Sequence, residues 1–187
     1  MNINTLDRGL GGKKIVVLTG RPGIGKTTVF ARVISRLRSI GLIVGGIVCP
    51  EVRVGNSRIG FKIVDLMSGE EGWLARLSVA CAQQKRVGKY CVEVDDVITI
   101  GVKALKKAMQ YADIIGIDEI GPMELSVPQL RDAIISTLSH SRRVLAVVHL
   151  RLNDEFIIKL LKPALKYEVN LSNRETLHEE ILNALLT

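Results

Sequence analysis

One short stretch constrains the chain more than any other: Thr19 to Thr28 reads T-G-R-P-G-I-G-K-T-T, and within it Gly20 to Thr27 fits G-x-x-x-x-G-K-T. The flanking residues decide what such a motif can be. Lys14 to Thr19 is an apolar run without alternation, as expected for a strand buried on both faces. From Lys26 the apolar positions Val29, Phe30, Val33, Ile34 and Leu37 recur at three- and four-residue spacing opposite Arg32, Arg36 and Arg38, and Gly41 closes the pattern. This predicts an amphipathic helix. A strand, a glycine-rich turn and a helix in that order make a phosphate cradle. Consecutive backbone N–H groups must turn inward around a phosphate, a curve whose angles are open mainly to glycine, and the helix beginning at Gly25 adds its positive end. The expected nucleotide-binding residues are Gly20, Arg21, Pro22, Gly23, Ile24, Gly25, Lys26, Thr27 and Thr28. Lys26 is placed on the β- and γ-phosphates, and Thr27 Oγ on a bridging Mg²⁺.

The rest of the chain supports an α/β fold with a mainly parallel sheet. Its 187 residues, 47% of them hydrophobic, suit a single domain, residues 1–187, in which 1–12 form a loose tail. Two β-rich runs, Ile47 to Val54 and Arg58 to Leu66, flank Gly55-Asn56-Ser57 and predict an antiparallel hairpin, its Pro50 favouring an edge. Residues 67–89 read as a lid-like insertion that follows it, so hairpin and insertion together span about 47–89. Strands are expected at Tyr90 to Val94, Asp113 to Asp118, Val144 to His149 and Tyr167 to Leu171. Helices carry Ile98, Val102, Leu105 and Met109; Leu130, Ile134 and Leu138; and Leu177, Ile181 and Leu185, with another from about Asp154 to Pro163. Ser126 with Gln129, and Ser172 with Glu175, read as capping boxes.

Asp118 ends a buried strand, where a carboxylate can position a water ligand of the magnesium ion. Glu119 directly after it is the candidate catalytic residue beside Lys26. In NTPases with an extra strand between the two motif strands, such a glutamate orients the attacking water, and residues 41–112 have room for extra strands. This favours hydrolysis over transfer. Arg53, Arg58 and Arg76 are candidates to swing toward the γ-phosphate. His149 ends its strand where related NTPases keep a polar γ-phosphate sensor, though a plain strand-end histidine accounts for it equally well.

Composition sets the remaining limits. Lys and Arg exceed Asp and Glu by 26 to 19, and residues 53–89 hold seven cations against three acids, which makes that basic segment a candidate contact for RNA or DNA. Seven aromatic residues are too few for a repeated base-stacking surface. Cys49, Cys81 and Cys91 make an odd count without a CxxC pair, so neither a disulfide framework nor a cysteine zinc site is expected, and the setting reads as reducing and cytoplasmic. His140, His149 and His178 lack ligand spacing. No apolar run approaches the roughly 20 residues needed to cross a bilayer. A monomer is expected.

The stretches GRPGIGKTT, EVRVGNSRIGFKIVDLMSGEEGWLAR from Glu51 to Arg76, VGKY from Val87 to Tyr90, IDEIGPMELS from Ile117 to Ser126 and SNRETL from Ser172 to Leu177 resemble the P-loop nucleoside-triphosphatases of the THEP type, whose animal members are called cancer-related nucleoside-triphosphatase. The resemblance covers almost the whole chain. It implies a RecA-like central sheet and Mg²⁺-dependent hydrolysis of ATP, GTP and other nucleoside triphosphates to diphosphates, with little base selectivity. Carried over by motif, Gly20 to Thr28 bind phosphate and magnesium, Asp118 serves the metal and Glu119 is the base. Gly121 joins the nucleotide site, and Asn173 with Arg174 border the nucleobase, although simple helix entry explains that pair locally. Two departures are visible: the family's glycine-lysine is Gly121-Pro122 here, and Arg21 fills a commonly uncharged position. Two rival readings share the cradle, a nucleotide or nucleoside kinase and a nucleotide-gated RNA- or DNA-binding module.

Overall fold

The computed structural model describes residues 12–78, 81 and 85–187; the tail expected at 1–12 falls almost wholly outside them. Five strands form the parallel half of a single sheet: β1 (Lys14–Thr19), β2 (Val44–Val48), β8 (Ile114–Ile120), β9 (Arg143–Val148) and β10 (Leu165–Glu168), in spatial order β10-β1-β9-β8-β2. Within β1, Val16 and Leu18 pack toward α1 (Lys26–Ser39) and α6 (Leu177–Leu186), while Ile15 and Val17 pack with residues of α3 (Lys103–Tyr111) and α4 (Pro128–His140). Apolar side chains are needed in both directions, hence the unbroken hydrophobic run.

Residues 47–89 do not stand apart from this sheet. Ile47 belongs to β2, which pairs in parallel with β8, and the chain breaks at Cys49-Pro50 before β3 (Glu51–Val54). The expected hairpin then forms with β4 (Ser57–Asp65) across a turn at Gly55, whose φ is 54°. β4 pairs antiparallel with β2, and β5 (Glu71–Leu77), β7 (Tyr90–Val92) and β6 (Arg86–Val87) continue the sheet in antiparallel order. The insertion is therefore an extension of the sheet. Cys81 and Cys91 form a disulfide, contrary to expectation, their Cα atoms lying 5.8 Å apart. Cys49 remains a free thiol.

Two helix starts also differ from expectation. Ser126 hydroxyl donates to the Met123 carbonyl instead of capping α4, which begins with Pro128 in its first turn. Ser172 hydroxyl donates to Asn170 Oδ1, and α6 begins only at Leu177. Asp154 does cap α5 (Glu155–Leu160), accepting from the Ile157 N–H. Between β7 and α3, α2 (Val94–Asp96) runs into a π-helical segment, Val97–Val102, which changes the helix phase and buries Val97 and Ile100, with Ile98 half-buried against the same core. No described helix is long and apolar enough to cross a membrane.

Candidate functional site

Parallel strands deliver their C-terminal ends to one edge of the sheet, and the motif residues meet there. The loop after β1 turns through Gly20, Gly23 and Gly25, all at positive φ (146°, 75° and 112°). At Gly20 a Cβ would lie 2.8 Å from the Val169 carbonyl oxygen, so no other residue fits without moving the chain after β10. Lys26, only 9% exposed, donates from Nζ to the carbonyls of Gly20 at 3.1 Å and Arg21 at 3.3 Å. Its ammonium is thus held against the loop whose amides form the cradle. Arg21, Pro22, Gly23, Thr27 and Thr28 are exposed, with Ile24 and Gly25 half-buried.

The acidic pair arrives on β8. The Thr27 hydroxyl lies near enough to the Asp118 carboxylate to favour its charged form, so the two residues expected to serve a metal are neighbours. Burial pushes the Asp118 carboxyl up to about 7 and the Glu119 charge adds to this, against the Thr27 hydroxyl and the Lys26 charge. Asp118 Oδ2 and Glu119 Oε1 are buried without a hydrogen-bond partner. The Asp118–Glu119 peptide bond is cis. The strand separating β1 from β8 is β9, from the chain's second half; β2, supplied by residues 41–112, lies on the outer side of β8.

Near the pair sits a third acid, from the M-E-L of the same stretch. Glu124 is 6% exposed in the short turn Glu124–Ser126, and its carboxyl is pushed up to about 8 by burial and by the charges of Glu119 and Asp118. The nearby backbone N–H groups of Glu124 and Gly121 oppose that shift. A Cβ on Gly121 would stand 3.1 Å from Glu124 Oε2 and 3.1 Å from His149 Cβ, which explains glycine at this position. The signal for Glu124 in the sequence was a lone acid in an otherwise apolar M-E-L. Burial also raises the Cys49 thiol, with the Glu124 and Asp118 charges adding to it.

Across the cradle, the loop after β10 carries Asn173 and Arg174. Asn173 Oδ1 accepts from the Asn170 N–H at 2.9 Å and its Nδ2 donates to the Glu168 carbonyl at 2.9 Å, so both ends of the amide hold the loop itself. Arg174 Cδ lies 3.9 Å from where a Cβ on Gly25 would stand, which brings this side chain over the cradle. The hairpin arginines are not gathered there. Arg53 and Arg58 both pair with Glu51, and Arg76 pairs with Glu93 at 2.6 Å. Lys62 similarly pairs with Glu71. Among the described residues, no group of three or more His, Cys, Asp or Glu could hold a metal ion unaided.

A glycine-turned cradle after the first strand, with a buried Asp–Glu pair two strands away on the same sheet edge, defines a P-loop nucleotide-binding protein of the α/β class. Comparison with known proteins narrows this. A family model described as NTPase matches residues 15–182. The nucleoside-triphosphatase THEP1 of Sulfurisphaera tokodaii is 40% identical over 92% of this chain and 95% of its own length. That of Thermofilum pendens is 42% identical over 90% and 93%. The crystal structure of THEP1 from Aquifex aeolicus superposes with a TM-score of 0.80 at 29% identity, covering 92% of this chain and 99% of that one. The chain belongs to this NTPase family, that of the THEP1 proteins.

Proposed function

We propose that the chain hydrolyses nucleoside triphosphates to the diphosphate and phosphate with Mg²⁺ bound, using Glu119 to orient the attacking water. The observation that carries this reading is the pair of buried, unpartnered carboxylate oxygens, Asp118 Oδ2 and Glu119 Oε1, near Thr27 and Lys26 of the cradle. Thr27 Oγ1 and Asp118 fit a hard cation: both offer oxygen, and Asp118 Oδ2 lacks any protein donor. A cation held by Thr27 and Asp118 would supply charge neutralisation for the bound polyphosphate.

The chain's own groups do the rest. The amides of Gly20 to Thr28 enclose the polyphosphate, and the Lys26 ammonium exchanges the Gly20 and Arg21 carbonyls for phosphate oxygens. Glu119 accepts a hydrogen bond from the water and fixes its line of approach. Full deprotonation in advance would cost about 15 kcal/mol, since an ordinary glutamate and free water differ by about 11 pKa units. Glu119 therefore aligns the water and takes its proton late, or passes it to phosphate. With Asn173 committed to its own loop, Arg174 is left to border the base. A guanidinium stacks on any base without reading its edge, so broad base tolerance follows.

The rival readings gain no supporting observation. A kinase would need an acceptor pocket and free lid arginines, yet Arg53, Arg58 and Arg76 are paired, and these pairs and Lys62–Glu71 offset much of the basic segment's charge for nucleic acid. The test is phosphate release across the common triphosphates, with and without magnesium, for the native chain, Lys26→Ala and Glu119→Gln. Glu119→Gln should bind nucleotide near-normally and release no phosphate; retained turnover would remove Glu119 from the mechanism. Without a mobile arginine, native turnover should be of the order of 10⁻² per second or less. Tens per second would refute that point.

A further inference from the structure

We infer that Arg32 is a positioning residue of the nucleotide site: through the Glu175 carboxylate and two loop carbonyls it holds Arg174 against the cradle helix, and so sets the affinity for the base-bearing part of the nucleotide. The inference rests on the reading above that Arg174 borders the base, and it names what fixes that side chain. Arg32 lies on α1, whose first residue is Lys26, and six residues of helix carry it about 9 Å along the axis from that end. There its guanidinium meets the loop after β10. Nη1 donates to the carbonyls of Arg174 at 3.3 Å and Glu175 at 3.2 Å, and Nη2 donates to Glu175 Oε2 at 2.8 Å. The other oxygen of the same carboxylate, Oε1, stands 3.5 Å from Arg174 Nε. Arg32, Glu175 and Arg174 thus form a chain that begins on the cradle helix and ends on the guanidinium lying over the cradle.

Before Arg174 the loop braces only itself. The Arg174 N–H donates to the Asn170 carbonyl at 3.1 Å, and Asn170 Oδ1 accepts from the Ser172 and Asn173 N–H groups at 2.9 Å and 3.1 Å. None of those bonds crosses to α1; those of Arg32 do. An ion pair as exposed as this one, 38% and 65% for its two side chains, contributes little by itself. What distinguishes Arg32 is its planar fork, which meets three acceptors in fixed directions and so sets both the distance and the angle of the loop to α1. The Arg32 guanidinium also holds the Glu175 carboxyl below its ordinary range, which keeps an anion beside Arg174. Without Arg32 that carboxylate has no fixed place, and the cost of ordering Arg174 then falls on nucleotide binding.

Inorganic triphosphate fills the cradle but carries no base, so it separates this role from a general structural one. Titration calorimetry with magnesium compares it with the β,γ-imido analogue of ATP, and neither measurement depends on turnover. Arg174→Ala should weaken the analogue about 10-fold, the size of a lost guanidinium–base contact. Arg32→Ala should weaken it about 5-fold, and both variants should bind inorganic triphosphate within 2-fold of the native chain. In the Arg174→Ala background, Arg32→Ala should add less than 2-fold, because it acts through Arg174. Equal losses for the two ligands, full additivity in the double variant, or native analogue affinity in Arg32→Ala would each overturn the proposal. If Arg32→Ala does not fold, Glu175→Ala decides: the analogue should weaken at least 3-fold with inorganic triphosphate unchanged, and native affinity for both defeats the inference. An Arg174→Ala chain that binds the analogue normally removes the base contact and this inference with it. A loss at Arg174 with a neutral Arg32→Ala removes the inference alone.

Discussion

Glu124 carries the clearest residue-scale consequence, because a carboxyl that keeps its proton up to about 8 when folded, against 4.5 ordinarily, links stability to pH. The folded chain binds a proton there that the unfolded chain has lost, so the stabilisation is complete below about 4.5 and disappears as pH rises through about 8. Glu124→Gln keeps an acceptor for the Gly121 and Glu124 N–H groups and removes the titration. Its melting temperature should exceed the native value at pH 8.5, by stability on the order of 5 kcal/mol, and match it near pH 4.5. Calorimetry across that range checks it, and parallel melting curves would show that Glu124 does not titrate there. Gly121→Ala tests the same crowding from the other side. Its Cβ would press on Glu124 and His149, and phosphate release should fall at least 10-fold with nucleotide affinity little changed.

Among the elements, α1 holds the cradle against the sheet. Phe30 is 1% exposed, and its ring lies where Gly116 of β8 leaves room, a Cβ there falling 2.7 Å from Cζ. Phe30→Ala should cost about 3–5 kcal/mol and lower the melting temperature accordingly; a loss under 1 kcal/mol would mean that α1 closes onto the sheet without it. The Cys81–Cys91 disulfide joins residues ten apart in sequence, for which loop-closure entropy gives about 2.7 kcal/mol. Adding a reductant, or replacing Cys81 with Ser, should lower the melting temperature, while insensitivity to reductant would show that the bond contributes nothing to the fold in solution. Nothing in the sequence marked that pair, since cysteines ten residues apart meet only because β5 and β7 become neighbours. The motif strands, α1 and the hairpin turn were legible because each has a local cause: apolar continuity, 3.6-residue periodicity, a glycine at positive φ. The capping boxes expected at Ser126 and Ser172 do not form because the residues preceding α4 and α6 are Val127 and Thr176, so neither serine oxygen is placed to accept from a first-turn N–H.

At the scale of the whole molecule, strand order was the least legible property. Strands β1 and β8 could be assigned as the two motif strands, but the strand between them comes from residues 143–148, and no local pattern says where a later strand inserts. The same holds for residues 47–89, whose alternation and glycines fit a lid as well as an added set of strands. Candidate residues contributed by the motifs themselves, Gly20 to Thr28, Asp118 and Glu119, gather at one edge because parallel strands share a direction. Glu124 could not be placed in advance, since its position depends on a turn folding back beneath Glu119. The described strands with a free edge are all short: β6 spans Arg86–Val87, β10 spans Leu165–Glu168 with Lys166 and Glu168 exposed, and β3, paired with β4 alone, spans Glu51–Val54 with Glu51 and Arg53 exposed. Rims this brief, and charged, offer a neighbouring molecule little template on which to add a strand. Light scattering should therefore report one chain per particle at micromolar concentration, and a concentration-dependent mass would mean that copies associate through some other surface.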